Sequence, residues 1–385
     1  MIVIADDITG AAEIAGIAFT HGADVRLVCG SVCCRSAATY GTTVIATDTR
    51  SMSEAEAVAE TRRIASALSP QPSAISHQPS AIFKKTDSAL RGHVVAELQA
   101  LMEATGCPRC VYLPANPSKG RIIRNGVYYI KEVRGERSEV RGESSEVRRE
   151  RSEVRVVPLA ETDFSFDPEF PAKTSVLRER FPDAEAKGII MPDAENEQDI
   201  RKVIQQYDDG KTIFAGAADL FSAMLRNPIE SRMSRESSIY RNSSLSTLIL
   251  CGSTQSKALD IGISISPMPR AIYDGSCNLD LWNTDAYTHQ HSLILTIPHT
   301  HRTGKEVAVH LRNMMAEMAR RLVSEHCPDH LIIEGGATAW ATLQALNWTE
   351  FQIIRQIAPG VVQMSATNGT LVTLKPGSYP WSCQG

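Results

Sequence analysis

The sequence predicts an α/β protein made of two α/β domains with largely parallel sheets, one over residues 1–230 and one over 245–385. Three observations predict this. Short apolar runs alternate with helical stretches in both halves, the pattern of repeated βα units. Several runs stop at polar clusters that lead into the next helix, as Met1-Ile-Val-Ile-Ala-Asp-Asp-Ile-Thr-Gly10 does. A length of 385 residues, with 43% hydrophobic and 22% charged content, suits two ordinary globular domains.

In the first half, strands are expected at 2–5, 25–29, 43–47, 81–85 and 109–113, separated by helical stretches. The best helix signal runs over 89–105. Leu90, Val94, Leu98, Leu101 and Met102 recur on one face, Gly106-Cys-Pro108 supplies the stop, and Ser88 is the expected N-cap. Alternation resumes with a strand at 189–191, a helix at 197–207, a strand at 212–215 and a helix at 217–225. The Ser- and Arg-rich stretch 227–244 has almost no core signal and reads as the interdomain linker. Beyond it come a strand at 247–251, the loop Gly252-Ser-Thr-Gln-Ser256, a strand at 293–297 and a helix at 305–325. A strand at 330–334, Gly335-Gly336, a helix to 346 and a strand at 370–374 complete the second module.

Two segments interrupt this pattern. Residues 132–155 read EVRGERS, EVRGESS, EVRRERS, EVR, a seven-residue repeat whose only apolar residue is valine. A coiled-coil seam needs two apolar positions per heptad, so the repeat is expected to be a solvated excursion. Gln71-Pro-Ser-Ala-Ile75 recurs as Gln78-Pro-Ser-Ala-Ile82, a small duplication that lengthens one loop.

A net charge of -4, with basic residues mixed among glutamates, gives no reason to expect a nucleic-acid or membrane partner. Nine cysteines, an odd number, with no leader read before the first strand, make the cytoplasm the expected compartment and disulfides unexpected. Cys107-Pro-Arg-Cys110 has no second pair to complete a zinc site, and Cys33-Cys34 reads as packing. His299-Thr-His301 lacks a third ligand nearby, so no metal site is expected there. A homodimer is the base-rate expectation for a soluble enzyme.

The residues suited to chemistry lie where strands end, the place where open α/β sheets bind ligands. Asp6 and Asp7 follow the first strand, and one can cap the next helix while the other faces a ligand. Lys85, Thr86, Asp87, Ser88 and Arg91 form a denser cluster after the strand at 81–85. Arginine and lysine bind carboxylates, and aspartate can orient or deprotonate a hydroxyl. Arg50 ends a third run. Together these suggest a small, anionic, hydroxylated substrate. In the second module Gly252-Ser253, Glu334-Gly-Gly-Ala-Thr338 and Lys375-Pro-Gly377 follow strands, a context in which backbone N–H groups hold phosphate oxygens. No GxxxxGK[ST] and no GxGxxG occurs, which argues against a P-loop and a dinucleotide cofactor.

Ala5-Asp-Asp-Ile-Thr-Gly10, Lys85-Thr-Asp-Ser-Ala-Leu-Arg-Gly92, Pro114-Ala-Asn-Pro-Ser-Lys-Gly-Arg121 with Asn125-Gly126, Gly252-Ser253 and Gly335-Gly336 together resemble the four-carbon acid sugar kinase family. The resemblance implies an N-terminal substrate domain, a C-terminal nucleotide domain, and phosphorylation of acids such as threonate, erythronate or 3-oxo-tetronate with ATP and Mg²⁺. It implies substrate contacts from Asp6 or Asp7, Arg50, Lys85, Thr86, Asp87 and Ser88. Arg91 is a further candidate for the substrate carboxylate, and an aspartate among Asp6, Asp7 and Asp87, with Asp7 and Asp87 first, would orient the hydroxyl. The resemblance implies nucleotide contacts from Ser253, Gly335, Gly336, Ala337, Thr338 and Gly377. Two departures stand out. The family usually has an acid where Ala337 stands, for which Glu334 is the available substitute, and its glycine-rich end continues differently from Gly377-Ser-Tyr-Pro-Trp381. These departures keep open a rival reading, a sugar-acid binding protein of the same fold without activity.

Overall fold

The computed structural model describes residues 1–30, 41–68, 82–134, 153–167, 169–225, 245–252, 292–296 and 304–377. By compactness the chain divides into one unit of Met1–Lys85 with Leu225–Gly385 and another of Thr86–Met224. This grouping follows three-dimensional contact and differs from the division in chain order at 230–245.

The chain begins with β1 (Ile2–Ala5), α1 (Ile8–Thr20), β2 (Val25–Cys29), β3 (Thr42–Ala46), α2 (Glu54–Leu68) and β4 (Ile82–Lys85). The strands are short continuous apolar runs buried on both faces, as parallel strands under helices must be. The second unit follows with α3 (Val94–Thr105), β5 (Arg109–Leu113), β6 (Arg121–Arg124), β7 (Val127–Arg134) and β8 (Glu153–Pro158). It continues through α4 (Leu177–Arg180), β9 (Ile189–Ile190), α5 (Glu197–Tyr207), β10 (Thr212–Gly216) and α6 (Ala218–Met224). The chain then returns to the first unit with β11 (Thr247–Cys251), β12 (Ser292–Thr296), α7 (Lys305–His326), β13 (His330–Glu334), α8 (Gly336–Ala345), β14 (Glu350–Ala358), β15 (Val361–Ala366) and β16 (Leu371–Lys375).

In the first unit the strands lie in the order β12-β11-β13-β16-β15-β14-β2-β3-β1-β4. The block β12-β11-β13-β16 is parallel, and so is the block β2-β3-β1-β4. Between them β15 and β14 run antiparallel to their neighbours, and Glu350, Phe351 and Gln352 of β14 pair with Val28, Leu27 and Arg26 of β2. Arg26 also forms an ion pair with Glu350 at 2.5 Å. Helix α1 packs on β14 and β15 as well as on β2 and β3. Its Gly16 makes this approach close, since a Cβ there would stand 2.8 Å from Val362 Cγ2. In the second unit β10-β5-β9 form a parallel group, and β6-β7-β8 form an antiparallel sheet.

The structure differs from these expectations at five points. The helix expected over 89–105 starts at Val94, because Leu90 and Gly92 have φ of 63° and 94°, outside the helical range. Ser88 does not cap it; His93 holds that position without a side-chain bond. The hairpin of β6 and β7 was not among the expected elements, although Asn125-Gly126, with φ of 51° and 72°, is a strong turn signal. The stretch over 350–366 was also passed over. It is the hairpin β14–β15 around Pro359-Gly360; β14 mixes buried and partly exposed positions, and β15 is buried apart from Ser365. The two ends of the EVR repeat form a backbone ladder, with Glu132 opposite Arg155, Val133 opposite Val154 and Arg134 opposite Glu153, while its middle, 135–152, lies outside the described residues. The linker at 227–244, the duplication at 71–82 except Ile82, Cys33-Cys34 and His299-Thr-His301 lie outside the described residues.

Gly16→Leu is expected to lower stability by about 1–3 kcal/mol through overpacking against β15. That outweighs the roughly 1 kcal/mol a helix gains on losing a glycine. A lower urea midpoint checks it, and an unchanged or higher midpoint contradicts the close packing of α1 on β15.

Candidate functional site

The parallel strands β3, β1 and β4 end side by side, and their last residues meet a concentrated set of charges. Asp6 and Asp7 are both buried although they leave β1 as neighbours. Asp7 is the N-cap of α1: its Oδ1 accepts from Gly10 N at 2.8 Å and its Oδ2 accepts from Thr9 Oγ1 at 2.5 Å. The same carboxylate forms an ion pair with Arg50. Gly10 is required here, since a Cβ would come within 2.6 Å of Asp7 Oδ1 and 3.2 Å of Lys85 Nζ. Lys85, the last residue of β4, is buried and reaches Glu13 of α1 at 3.6 Å.

The two aspartates differ electrostatically. Burial works against the charge of Asp7, but Arg50, Lys85, the Thr9 hydroxyl and the Gly10 N–H together outweigh it and hold its pKa below the usual carboxylate range. Asp6 is pushed up to about 6, first by burial and further by the negative charge of Asp7, against the opposing pull of Arg50, Lys84 and Lys85. Its Oδ1 is buried without a hydrogen-bond partner. Burial raises Asp48, beyond β3, to about 6 as well, despite the hydrogen bond from Ser51. One acid is thus a firmly ionised anchor, and its neighbour is poised near neutrality with an open oxygen.

The glycine segment after β13 reaches the same turn. A Cβ on Gly336, the first residue of α8, would stand 3.1 Å from Thr9 Cγ2 and 3.6 Å from Asp7 Oδ2. The N-terminus of α8, with its free N–H groups and partial positive charge, therefore faces the β1–α1 turn. Ala337 is exposed and Thr338 is buried. A Cβ on Gly252 would fall 1.8 Å from Thr338 Oγ1, so the glycine after β11 is needed for α8 to pack. Gly377 follows β16, while Ser253 lies outside the described residues. Glu334 is fully buried on Lys375 at 2.7 Å and is not presented to the surface in place of the acid absent at Ala337.

The dense cluster expected from sequence is divided at the unit boundary. Lys85 belongs with the aspartates, whereas Thr86, Asp87, Ser88 and Arg91 belong to the second unit. There Asp87 organises a turn: its Oδ2 accepts from Ala89 N at 2.9 Å, Arg91 N at 3.3 Å and Arg91 Nε at 2.9 Å, and its Oδ1 accepts from Arg91 Nη2 at 2.9 Å. Arg91 also reaches Asp167 at 3.3 Å. Arg121 donates to Ser88 Oγ, and Tyr128 donates to the Ser88 carbonyl. The guanidinium carbons of Arg91 and Arg121 lie 5.8 and 5.6 Å from the centre of the Phe164 ring. Thr86 is buried and donates its N–H to Gly216 O at 3.0 Å.

Sequence reasoning missed Thr9, Glu13, Asp48, Arg121 and Asp167. Thr9 and Glu13 were legible as the face of α1 next to its cap. Arg121 and Asp167 were not, because folding brings them to Ser88 and Arg91 across 33 and 76 residues.

Residues 1–182 match the model of a sugar-binding N-terminal domain, and residues 285–379 match that of a nucleotide-binding C-terminal domain. Charged strand ends beside a glycine-led helix fit this pairing of a sugar-binding and a nucleotide-binding domain. The chain belongs to the four-carbon acid sugar kinase family. It is 27% identical over 259 residues to a D-threonate kinase of Salmonella typhimurium, an alignment covering 60% of this chain and 53% of that protein's length. The fold matches a Haemophilus influenzae protein of the DUF1537 family at a TM-score of 0.64 and 19% identity, over 98% of this chain and 96% of the other. It also matches a Salmonella typhimurium LT2 protein that carries a tRNA-synthase label, at a TM-score of 0.69 and 18% identity over the same shares, 98% and 96%. Among the described residues no helix is long and apolar enough to cross a membrane.

A carboxyl raised to about 6 in the folded state binds its proton more tightly there than in the unfolded chain. Its contribution to stability is therefore lost as pH rises from about 4 through about 6. Asp6→Asn removes this penalty and is expected to raise stability at pH 7 by an amount on the order of 1–3 kcal/mol. The gain should shrink as pH falls toward 4. A melting series across that range checks the sign, and a variant less stable at pH 7 contradicts the assignment.

Proposed function

We propose that the protein is an ATP-dependent kinase that phosphorylates a hydroxyl of a four-carbon sugar acid of the threonate or erythronate type. The observation that carries this reading is the contact of Gly336, at the N-terminus of α8, with the Asp7–Thr9 turn inside one compact unit. Helix N-termini hold phosphate oxygens, and buried carboxylates at strand ends hold and activate hydroxyls.

In this reading Gly252, Ser253, Gly335, Gly336, Ala337, Thr338 and Gly377 line the nucleotide side. Asp6, with an unpartnered oxygen and a pKa near working pH, suits the part of base toward the acceptor hydroxyl. Asp7, kept ionised by Arg50 and Lys85, orients that hydroxyl and fixes the turn. Arg50 and Lys85 supply positive charge for the substrate carboxylate and for charge developing on the transferred group. Thr86, Asp87, Ser88 and Arg91 are the substrate contacts proposed for the other unit, with Asp87 keeping Arg91 in place. Magnesium needs only one or two carboxylates beside phosphate oxygens. Asp48, at the end of β3, is the acid available for it.

The rival reading, a sugar-acid binding protein without activity, draws on one observation. With Ala337 exposed and Glu334 held inside by Lys375, neither supplies an acid at the mouth of the nucleotide loops. Calorimetric titration with MgATP separates the two, since the rival expects no heat of nucleotide binding.

A coupled ADP-release assay with MgATP and both enantiomers of threonate and erythronate is expected to show release with one of the acids. Silence from the folded protein across the panel, joined to absent nucleotide binding, would establish the rival. Gly336→Val pushes a branched side chain against Thr9 and is expected to lower turnover by about a hundredfold, the scale of an ångström misplacement at a reacting centre. Asp87→Asn weakens the hold on Arg91, and wild-type turnover in that variant would remove Asp87 from the site.

A further inference from the structure

The three glycine loops of the nucleotide side leave three strands whose last residues stand in one row. Cys251 of β11 is in register with Glu334 of β13, and Glu334 with Lys375 of β16. All three are buried. The next residue in each case is the loop: Gly252, Gly335 and Pro376. Lys375 Nζ donates to Glu334 Oε1 at 2.7 Å and to the Pro376 carbonyl at 3.2 Å, and Cys251 stands opposite Glu334 across the ladder. The backbone repeats the connection, with Gly252 N donating to Glu334 O at 3.2 Å and Gly335 N donating to Lys375 O at 2.9 Å.

We propose that Lys375 and Glu334 are positioning residues, a buried clasp that sets the spacing of the three nucleotide loops from below. A lysine next to a glycine in such a loop would ordinarily be read as a phosphate ligand. Here the ammonium is turned inward, at 1% side-chain exposure, onto a carboxylate at 0%. A charged pair in this position is costly to bury and does little for stability that apolar side chains would not do. Its effect is geometric: one ammonium bonds the end of β13 and the start of the loop after β16 together. The loop starts after β13 and β16 are thus tied by a side chain and a backbone bond, and the start after β11 is tied to β13 by its backbone bond. Removing one partner leaves a buried charge that the loops must move to solvate. Removing both leaves the backbone ladder in place.

The inference rests on the nucleotide-binding reading above, and the test separates the two. MgADP binding is measured by calorimetry, with melting temperature alongside, for the full chain, Lys375→Met, Glu334→Gln and the double variant Glu334→Met with Lys375→Met. The expected result is that each single variant weakens MgADP by about tenfold or more, as an unpaired buried charge displaces the loops, while the double variant returns to within about threefold of the parent. If both single variants fail to fold, the double variant alone decides by the same threshold. A double variant that binds as weakly as Lys375→Met makes the lysine a phosphate ligand and overturns the proposal. Single variants that bind like the parent also overturn it. A parent chain that does not bind MgADP overturns the nucleotide reading, and the clasp as a positioning device with it. In that case a melting temperature lowered in the singles and restored in the double leaves only a structural ion pair.

Discussion

Three backbone pairings, Glu350 with Val28, Phe351 with Leu27 and Gln352 with Arg26, join the C-terminal hairpin to the N-terminal βα units. Everything in the first unit depends on that seam. It brings α1 onto β14 and β15, and the same helix begins at Asp7, so the acid turn is fixed relative to strands found more than three hundred residues later in the sequence. The Arg26–Glu350 pair, with Glu350 partly open to solvent, adds direction to the seam rather than much energy, since water screens a pair exposed on one side. Without the seam the chain would be two separate α/β modules, and Gly336 would have no reason to lie against Thr9.

Charge burial is the second constraint. Asp6, Asp7, Lys84 and Lys85 all lie inside the protein at the ends of β1 and β4. A lone buried carboxylate would neutralise; opposite charges nearby lower that penalty for one of the pair and leave it partly unmet for the other. Asp7 receives the nearest bonds, from Arg50, Thr9 and Gly10, and stays charged. Asp6 receives attraction at a distance and keeps one oxygen without a donor. The difference between neighbouring residues of the same type follows from strand geometry, because successive side chains point to opposite sides. The Glu334–Lys375 pair meets the same constraint by direct contact instead.

Much of the fold was legible in the residues themselves. The strands at 2–5, 25–29, 109–113, 247–251 and 330–334 are apolar runs whose limits are set by local polarity, and they appear at those positions in the structure. The hairpins of β6–β7 and β14–β15 were not read. Their strands mix polar and apolar residues instead of running continuously apolar, and only the turn signals Asn125-Gly126 and Pro359-Gly360 mark them. The helix expected from residue 89 failed locally, because Asp87 offers its carboxylate to the N–H groups of Ala89 and Arg91 and so competes with the first helical turn.

The sequence alone determined the fold class, the positions of most parallel strands and the residues suited to chemistry, since each depends on hydrophobic period and residue type within a short window. Which of those residues meet was decided only by tertiary structure. The two parallel blocks run in opposite directions on either side of the β14–β15 hairpin, so strand ends that look equivalent along the chain are not neighbours by topology. The meeting of Gly336 with Asp7 and Thr9 and the inward turn of Lys375 follow from packing between segments far apart in sequence. No local pattern encodes such contacts, because their cause is the shape of the assembled core.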